Sequence, residues 1–396
     1  MRDMRKGIYI GVLFGLLHLS AWAQAGMEEV LRSVEENNKS LQAGRQLIES
    51  RKLDARTGNY LPNPTIEWNQ LWADKSVGGN ANELAVVQSF DFPSVYINKN
   101  RLARVKEDAA EWEYAVLRQQ VLLKAQQVCL EIIYLRQQKA LLTHRLENAS
   151  CVERLYRQRL ASGDANQLEY NKIQLEKINA GHASRRNEAA LQVQVEQLKA
   201  LNGGMEVAFA ESDFPKLPVL PSFEELEKEY LGADPNLRNL SREAESAQYE
   251  IKVNRGMSLP KFDIGYRRTG GSSETMNGFR VGMSIPLWEN RNTVRRAKAQ
   301  AEYTVMVLED NTQVLRASLR ELYLQAESLR ASRDEYEQIF ARQRNEELLQ
   351  KALEAGQISM LEYFVEITLL YDSMQNCLDV EREYRNVMGQ LLQYTL

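Results

Sequence analysis

The sequence predicts a mainly α-helical fold with a small β part, built as two tandem structural repeats. Three observations carry this. Residues 160–170 (LASGDANQLEY) and 353–363 (LEAGQISMLEY) align Gly163 with Gly356, Leu168 with Leu361, Glu169 with Glu362 and Tyr170 with Tyr363, each 193 positions apart, and Pro93 and Pro286 keep the same offset. A register held between separate landmarks marks a duplication, with units too long for a solenoid repeat. Residues 98–162 and 290–355 contain neither proline nor glycine, and at 1.5 Å per residue each is about 100 Å of helix. Residues 65–92 and 261–287 instead alternate apolar and polar side chains with the period of a strand.

The chain opens with Arg2, Arg5 and Lys6, an apolar run over 7–19, and small residues at Ala21, Ala23 and Ala25. Residues 1–25 therefore read as a signal peptide, and the protein is expected to be exported. No cysteine follows the cleavage site, so an N-terminal lipid anchor is not expected. Nothing later is apolar for the length a membrane helix needs, which leaves a soluble exported protein or a β-barrel with its weaker hydropathy signal.

Composition narrows the function. A chain of 396 residues, 44% hydrophobic, can bury a sizeable core, and a net charge of -4 argues against nucleic acid. Cys129, Cys151 and Cys377 lack zinc-type spacing and read as solitary thiols. Past His18 in the leader only His144 and His182 remain, a poor supply for imidazole chemistry or a metal site. There is no GxSxG, P-loop or HExxH, and Gly270-Gly271 lacks a strand-to-helix context. Met257, Met276, Met283, Met306 and Met360 are scattered as packing residues are. No enzyme, cofactor or metal is expected.

The first repeat is read as residues 26–201. Residues 27–60 have helical spacing and stop at Pro62-Asn63-Pro64. A hairpin follows over 65–92: Ile66, Trp68 and Trp72 share one face with Glu67 and Asn69 opposite, residues 73–82 form a polar loop, and Leu84, Val86, Phe90 and Phe92 resume the alternation. Along 98–162, Leu102, Val105, Ala109 and Trp112 begin one apolar stripe, while Tyr114, Leu117, Val121 and Val128 begin another. Two seams imply two helical neighbours. Gly163 suits a left-handed helix cap, Asp164 or Asn166 can start the return helix over 167–201, and the strands lie at the far end.

Residues 202–221, with Gly203, Gly204, Pro215, Pro218 and Pro221, read as an ordered linker. The second repeat, 222–396, repeats the plan: a helix over 223–255, a hairpin over 261–287, a long helix, a tip near Gly356 and a return helix over 360–394. In its hairpin Phe262, Ile264 and Tyr266 alternate with Lys261, Asp263 and Gly265, a loop spans 269–278, and Phe279, Val281, Met283 and Ile285 alternate with Arg280, Gly282 and Ser284. A soluble sandwich edge would alternate in the same way. Each strand is nonetheless close to the ~9–11 residues that cross a bilayer at a tilt, and Trp68, Trp72, Tyr266 and Trp288 lie towards strand ends, as interfacial aromatics do. Four strands cannot close a barrel, and an open edge in lipid leaves backbone groups unsatisfied, so several chains must pool them.

This order of helix, Leu61-Pro62-Asn63-Pro64 hairpin, long helix, glycine tip and return helix, repeated with Ser258-Leu259-Pro260 and Val281-Gly282-Met283-Ser284-Ile285-Pro286-Leu287, resembles the TolC-type outer membrane efflux protein family (outer membrane factor) over almost the whole mature chain. Gln88-Ser89-Phe90-Asp91-Phe92-Pro93 resembles the shorter members that accompany heavy-metal pumps. The resemblance implies a homotrimer in the outer membrane of a Gram-negative-type envelope. Each chain would give four strands to a twelve-stranded transmembrane β-barrel above a periplasmic α-helical coiled-coil barrel. The implied partners are outer membrane lipid, a periplasmic adaptor (membrane fusion) protein at the tips, and an inner-membrane pump reached through it.

A conduit needs a wet lumen and a constriction with a field. Glu169 and Glu362 lie where that family carries acidic residues at its entrance, and with Tyr170 and Tyr363 they are the candidate constriction. Asn166 to Glu169 and Ser359 to Glu362 also have capping-box spacing, so both Glu residues can instead close helix starts, and the tyrosines can be packing anchors. Gly163, Asp164, Ala165, Gly356, Gln357 and Ile358 are the candidate adaptor contacts, because exposed tip loops are where a partner reaches. A rival reading is an exported coiled-coil scaffold without a pore; it accounts for the helices but not for two aromatic hairpins at their ends.

Overall fold

A computed structural model describes residues 26–72, 79–271, 274–340 and 345–396. Residues 1–25, expected as a signal peptide, 73–78 and 272–273 of the expected hairpin loops, and 341–344 of the stretch expected as one long helix lie outside the described residues.

The chain runs α1 (Met27–Asn37), α2 (Lys39–Arg56), β1 (Thr65–Leu71), β2 (Ala81–Phe90), α3 (Pro93–Ser162), α4 (Gln167–Leu201), α5 (Phe223–Ala233), α6 (Pro235–Gly256), β3 (Lys261–Gly270), β4 (Thr275–Ser284), α7 (Thr293–Phe340), α8 (Asn345–Glu354) and α9 (Met360–Leu391). A short 3-10 turn, Gln393–Thr395, follows.

Each repeat opens with two helices where the spacing predicts one. Asn38 is extended and its Oδ1 accepts from the Leu41 N–H at 3.0 Å, ending α1 and capping α2. Asp234 does the same for the Leu237 N–H at 2.8 Å, with Pro235 in the first turn of α6, where no backbone N–H is needed.

α3 is a single helix of 70 residues, starting on Pro93 and ending on Gly163, whose φ of 83° is the left-handed cap that glycine supplies. Such a length is held by neighbours on both sides. Towards the strands α3 touches α2 and α6; towards the tips it touches α4 and α9, and α7 lies beyond α6 and α9. The helices thus form a row, α2–α3–α6–α7 at one end and α4–α3–α9–α7 at the other.

Burial is strung along this row. One cluster joins α1, α3 and α4 around Val30, Val34, Cys129, Ile132 and Ile133, and takes in Phe209 of the linker. Another joins α5, α7 and α9 around Leu226, Tyr230, Leu319 and Met388. A third gathers both tips. Arg136 of α3 clamps the linker by donating to the carbonyls of Phe209 and Glu211, each at 2.6 Å. The linker is thus anchored to the helices at Phe209, Phe214, Leu217 and Leu220.

All four strands form one antiparallel sheet in the order β1-β2-β3-β4. The second turn is tighter than its glycines suggest, because pairing continues to Gly270 opposite Thr275. The two hairpins join through β2 and β3, with Phe90 opposite Phe262 and Val86 opposite Tyr266.

Candidate channel wall and entrance

Register assigns every strand residue to a face. In an antiparallel sheet directly opposed residues share a face, so one face carries the rows Ile66, Val86, Tyr266 and Phe279; Trp68, Leu84, Arg268 and Asn277; and Phe90, Phe262 and Met283, with Ile264 and Val281 between them. The other carries Glu67, Ala85, Arg267 and Gly278, then Val87, Gly265 and Arg280, then Ser89, Asp263 and Gly282. Polar groups on this second face pair with one another: Arg267 Nε lies 2.6 Å from Glu83 Oε1, and Ser89 Oγ donates to Asp263 at 2.6 Å.

The apolar face is bare. Ile66 is 69% exposed, Val281 79% and Phe279 90%, whereas Ala85 and Val87 on the polar face are buried. Seven large apolar side chains, Ile66, Trp68, Val86, Ile264, Phe279, Val281 and Met283, stand in the open there. At about 2 kcal/mol for each one covered, leaving them in water forgoes on the order of 10 kcal/mol. Such a face calls for a non-aqueous neighbour. β2, β3 and β4 have ten residues each, about 34 Å of strand, and a tilt near 45° brings that to the ~25 Å band of membrane barrels. Among the described residues no helix is long and apolar enough to cross a membrane.

At the opposite end the tips converge. Ala165, Tyr170, Leu353, Ile358, Met360 and Tyr363 belong to one apolar cluster, so the two repeats present their turns side by side. Gly163, Asp164, Gly356 and Gln357 are exposed, while Ala165 and Ile358 are half-buried. Gly163 and Gly356 are left-handed, at φ 83° and 69°. The N–H groups of Asp164 and Gln357 reach back to the carbonyls of Arg159 and Ala352, both at 2.8 Å. Each tip is a glycine-terminated helix with its last carbonyls satisfied.

Glu169 and Glu362 complete capping boxes. Glu169 Oε2 accepts from the Asn166 N–H at 3.0 Å and Glu362 Oε2 from the Ser359 N–H at 2.7 Å. The Ser359 backbone and hydroxyl hold the Glu362 carboxyl below its ordinary value. Glu362 is exposed and Glu169 half-buried, and each retains an oxygen that the box does not use. Capping therefore does not consume their charge.

The tyrosines differ. Tyr170 donates to Glu153 within the first repeat, at 2.8 Å. Burial pushes Glu153 up, but Tyr170, Arg157 and Lys177 outweigh it, and the carboxyl lies below its ordinary value. Tyr363 donates across repeats to Asn148 Oδ1 at 2.9 Å. Asn148 donates to Tyr371 at 2.8 Å, Tyr371 donates to Glu346 at 2.8 Å, and the Glu346 carboxylate lies 2.9 Å from His144 Nε2. Burial raises the hydroxyls of Tyr363 and Tyr371. Glu153 and Glu346 escaped the sequence reading, although they too are 193 positions apart.

Among the described residues no group of three or more His, Cys, Asp or Glu side chains gathers as a metal site. Cys129 is buried, its thiol pushed up to about 12 by burial.

Residues 226–395 match the outer membrane efflux protein family. No curated protein matches the chain. Among solved structures it is similar to a membrane protein from Pseudomonas aeruginosa, at 16% identity and a TM-score of 0.79 over 93% of both chains. It is also similar to CusC, described through conformational changes accompanying folding and transmembrane channel formation, at 16% identity and a TM-score of 0.78 over 95% of both. The outer membrane protein VceC from Vibrio cholerae aligns at 14% identity and a TM-score of 0.76 over 93% of this chain and 95% of that one.

Proposed function

We propose, from the match of residues 226–395 to the outer membrane efflux protein family and from a fold similar to that of outer membrane channel proteins, that this protein is the trimeric exit duct of a tripartite efflux or secretion system. Three copies pool their strands into a twelve-stranded barrel through the outer membrane and their helices into a periplasmic tube. The observation that carries this is the sheet: one face apolar and bare, the other polar, and the outer edges of β1 and β4 without a partner strand among the described residues. Strand direction alternates from β1 to β4, so β4 of one copy meets β1 of the next antiparallel, and the sheet closes without an edge.

Cargo passes without bond chemistry. Water fills the tube, the polar sheet face lines its outer part, and Glu169 and Glu362 of each copy put six carboxylates around the periplasmic entrance. A ring of that sign favours cations and opposes closure of the tips. An adaptor docks on residues 163–165 and 356–358 and opens the entrance, linking the duct to an inner-membrane pump. The scaffold reading has no use for the bare apolar sheet.

Planar-bilayer recording tests this. The mature protein should give discrete conductance steps, and Glu169→Gln with Glu362→Gln should lower cation preference. Absence of steps would refute the duct; steps with unchanged selectivity would leave the two Glu residues as caps alone.

A further inference from the structure

We propose that Arg186 of one copy pairs with Glu327 of the next at the seam between neighbouring copies, in the register that α3 and α9 keep inside one chain. This rests on the ring reading above and specifies its contact.

Inside the chain the first long helix, α3, packs on the second return helix, α9, in a fixed antiparallel register. Tyr134 donates to Asp379 at 2.6 Å, Gln138 to Gln375 at 3.0 Å, and Arg382 lies 3.8 Å from Glu131. The row α4–α3–α9–α7 alternates return and long helices and ends on α4 at one edge and α7 at the other. Joining copies edge to edge places the second long helix against the first return helix, the same pairing with the repeats exchanged. Such a head-to-tail contact differs from a two-fold one and gives a ring when its rotation closes, as the duct reading requires.

The 193-residue offset turns this into residues. Tyr134 becomes Glu327 and Asp379 becomes Arg186; Glu131 becomes Leu324 and Arg382 becomes Ala189; Gln138 becomes Ala331 and Gln375 becomes His182. Two of the three mapped pairs are complementary, while Ala331 against His182 keeps no hydrogen bond. A hydrogen bond is replaced by opposite charges, and an ion pair by Leu against Ala. The exposed positions fit as well: Arg186 and Glu327 are both exposed without an ion-pair partner among the described residues. Leu324 is 52% exposed. Ile178 is 62% exposed while its counterpart Tyr371 is 3% exposed, already covered by the internal seam. Charge complementarity and the shared register both name a second copy of this chain as the occupant of these edges.

The test uses the mature chain in detergent with Cys129→Ala, Cys151→Ser and Cys377→Ser. Adding Arg186→Cys and Glu327→Cys and treating with a short bismaleimide should give a covalent ladder ending at the assembled size, whereas either cysteine alone should give none. Separately, Arg186→Glu should reduce the assembled fraction about tenfold, as like charges replace a pair at every seam, and Glu327→Arg in the same chain should restore it. Assembly at full size without the ladder, or charge reversal without rescue, would overturn the seam while leaving the duct standing. A chain that stays single in detergent would overturn both.

Discussion

Phe279→Arg separates a membrane face from a wet one by orders of magnitude. Phe279 is 90% exposed and sits mid-strand in β4, on the face it shares with Tyr266, Val86 and Ile66. On a soluble sheet a substitution at so open a position changes stability by about 0.5 kcal/mol or less. On a lipid-facing strand near the bilayer midplane, arginine costs about 2–4 kcal/mol, roughly a 30- to 900-fold fall in the folded-to-unfolded ratio. The adjacent Arg280 is native because it faces the other way. Gly278→Arg, next to it in β4 but on the polar face, where an added Cβ meets nothing within 4 Å, is the control at matched depth and should cost about 1 kcal/mol or less. The assay is the urea midpoint of protein folded into phospholipid vesicles, followed by far-UV circular dichroism. An unchanged midpoint for Phe279→Arg, or equal losses for both variants, would refute the assignment of faces.

Three further outcomes are expected. Gly163→Ala should destabilise the first tip by about 1 kcal/mol, because φ is 83° and a Cβ there meets nothing within 4 Å, so the cost is the backbone's own; a thermal melt reads it. Tyr363→Phe should cost about 1 kcal/mol by removing the donor to Asn148, and faster amide exchange at the start of α9 should accompany it. The Glu362 carboxyl lies below its ordinary value when folded, so its stabilisation is complete above the usual carboxylate range and is lost as pH falls through the lowered value. Amide protection at the start of α9 should fall in that acidic window in the native protein and stay flat in Glu362→Gln.

The duplication, the strand faces and the glycine tips were legible because each rests on local spacing. Ile66 and Trp68 alternate with Glu67 whatever surrounds them, and Gly163 ends a helix in its own sequence context. The break at Asn38 was hidden, since apolar spacing runs through it and only backbone geometry distinguishes a cap from a helical asparagine. The equivalent break at Asp234 has a local signal in Pro235, which suits the first turn of a new helix, yet the apolar spacing over 223–255 runs through it as well. The joining of β2 to β3 is a contact between distant segments, and neither hairpin carries a mark of the other. Glu153 was passed over for a physical reason: glutamate on a long helix belongs at the surface, and only Tyr170, Arg157 and Lys177 together make its burial tolerable.

Light scattering of the purified mature chain, with and without detergent, reaches the central proposal most directly, because the bare sheet face and the open strand edges both require company. The expected result is a particle of three chains that needs surfactant to stay dispersed. A single chain, fully folded and monodisperse in plain buffer, would contradict it.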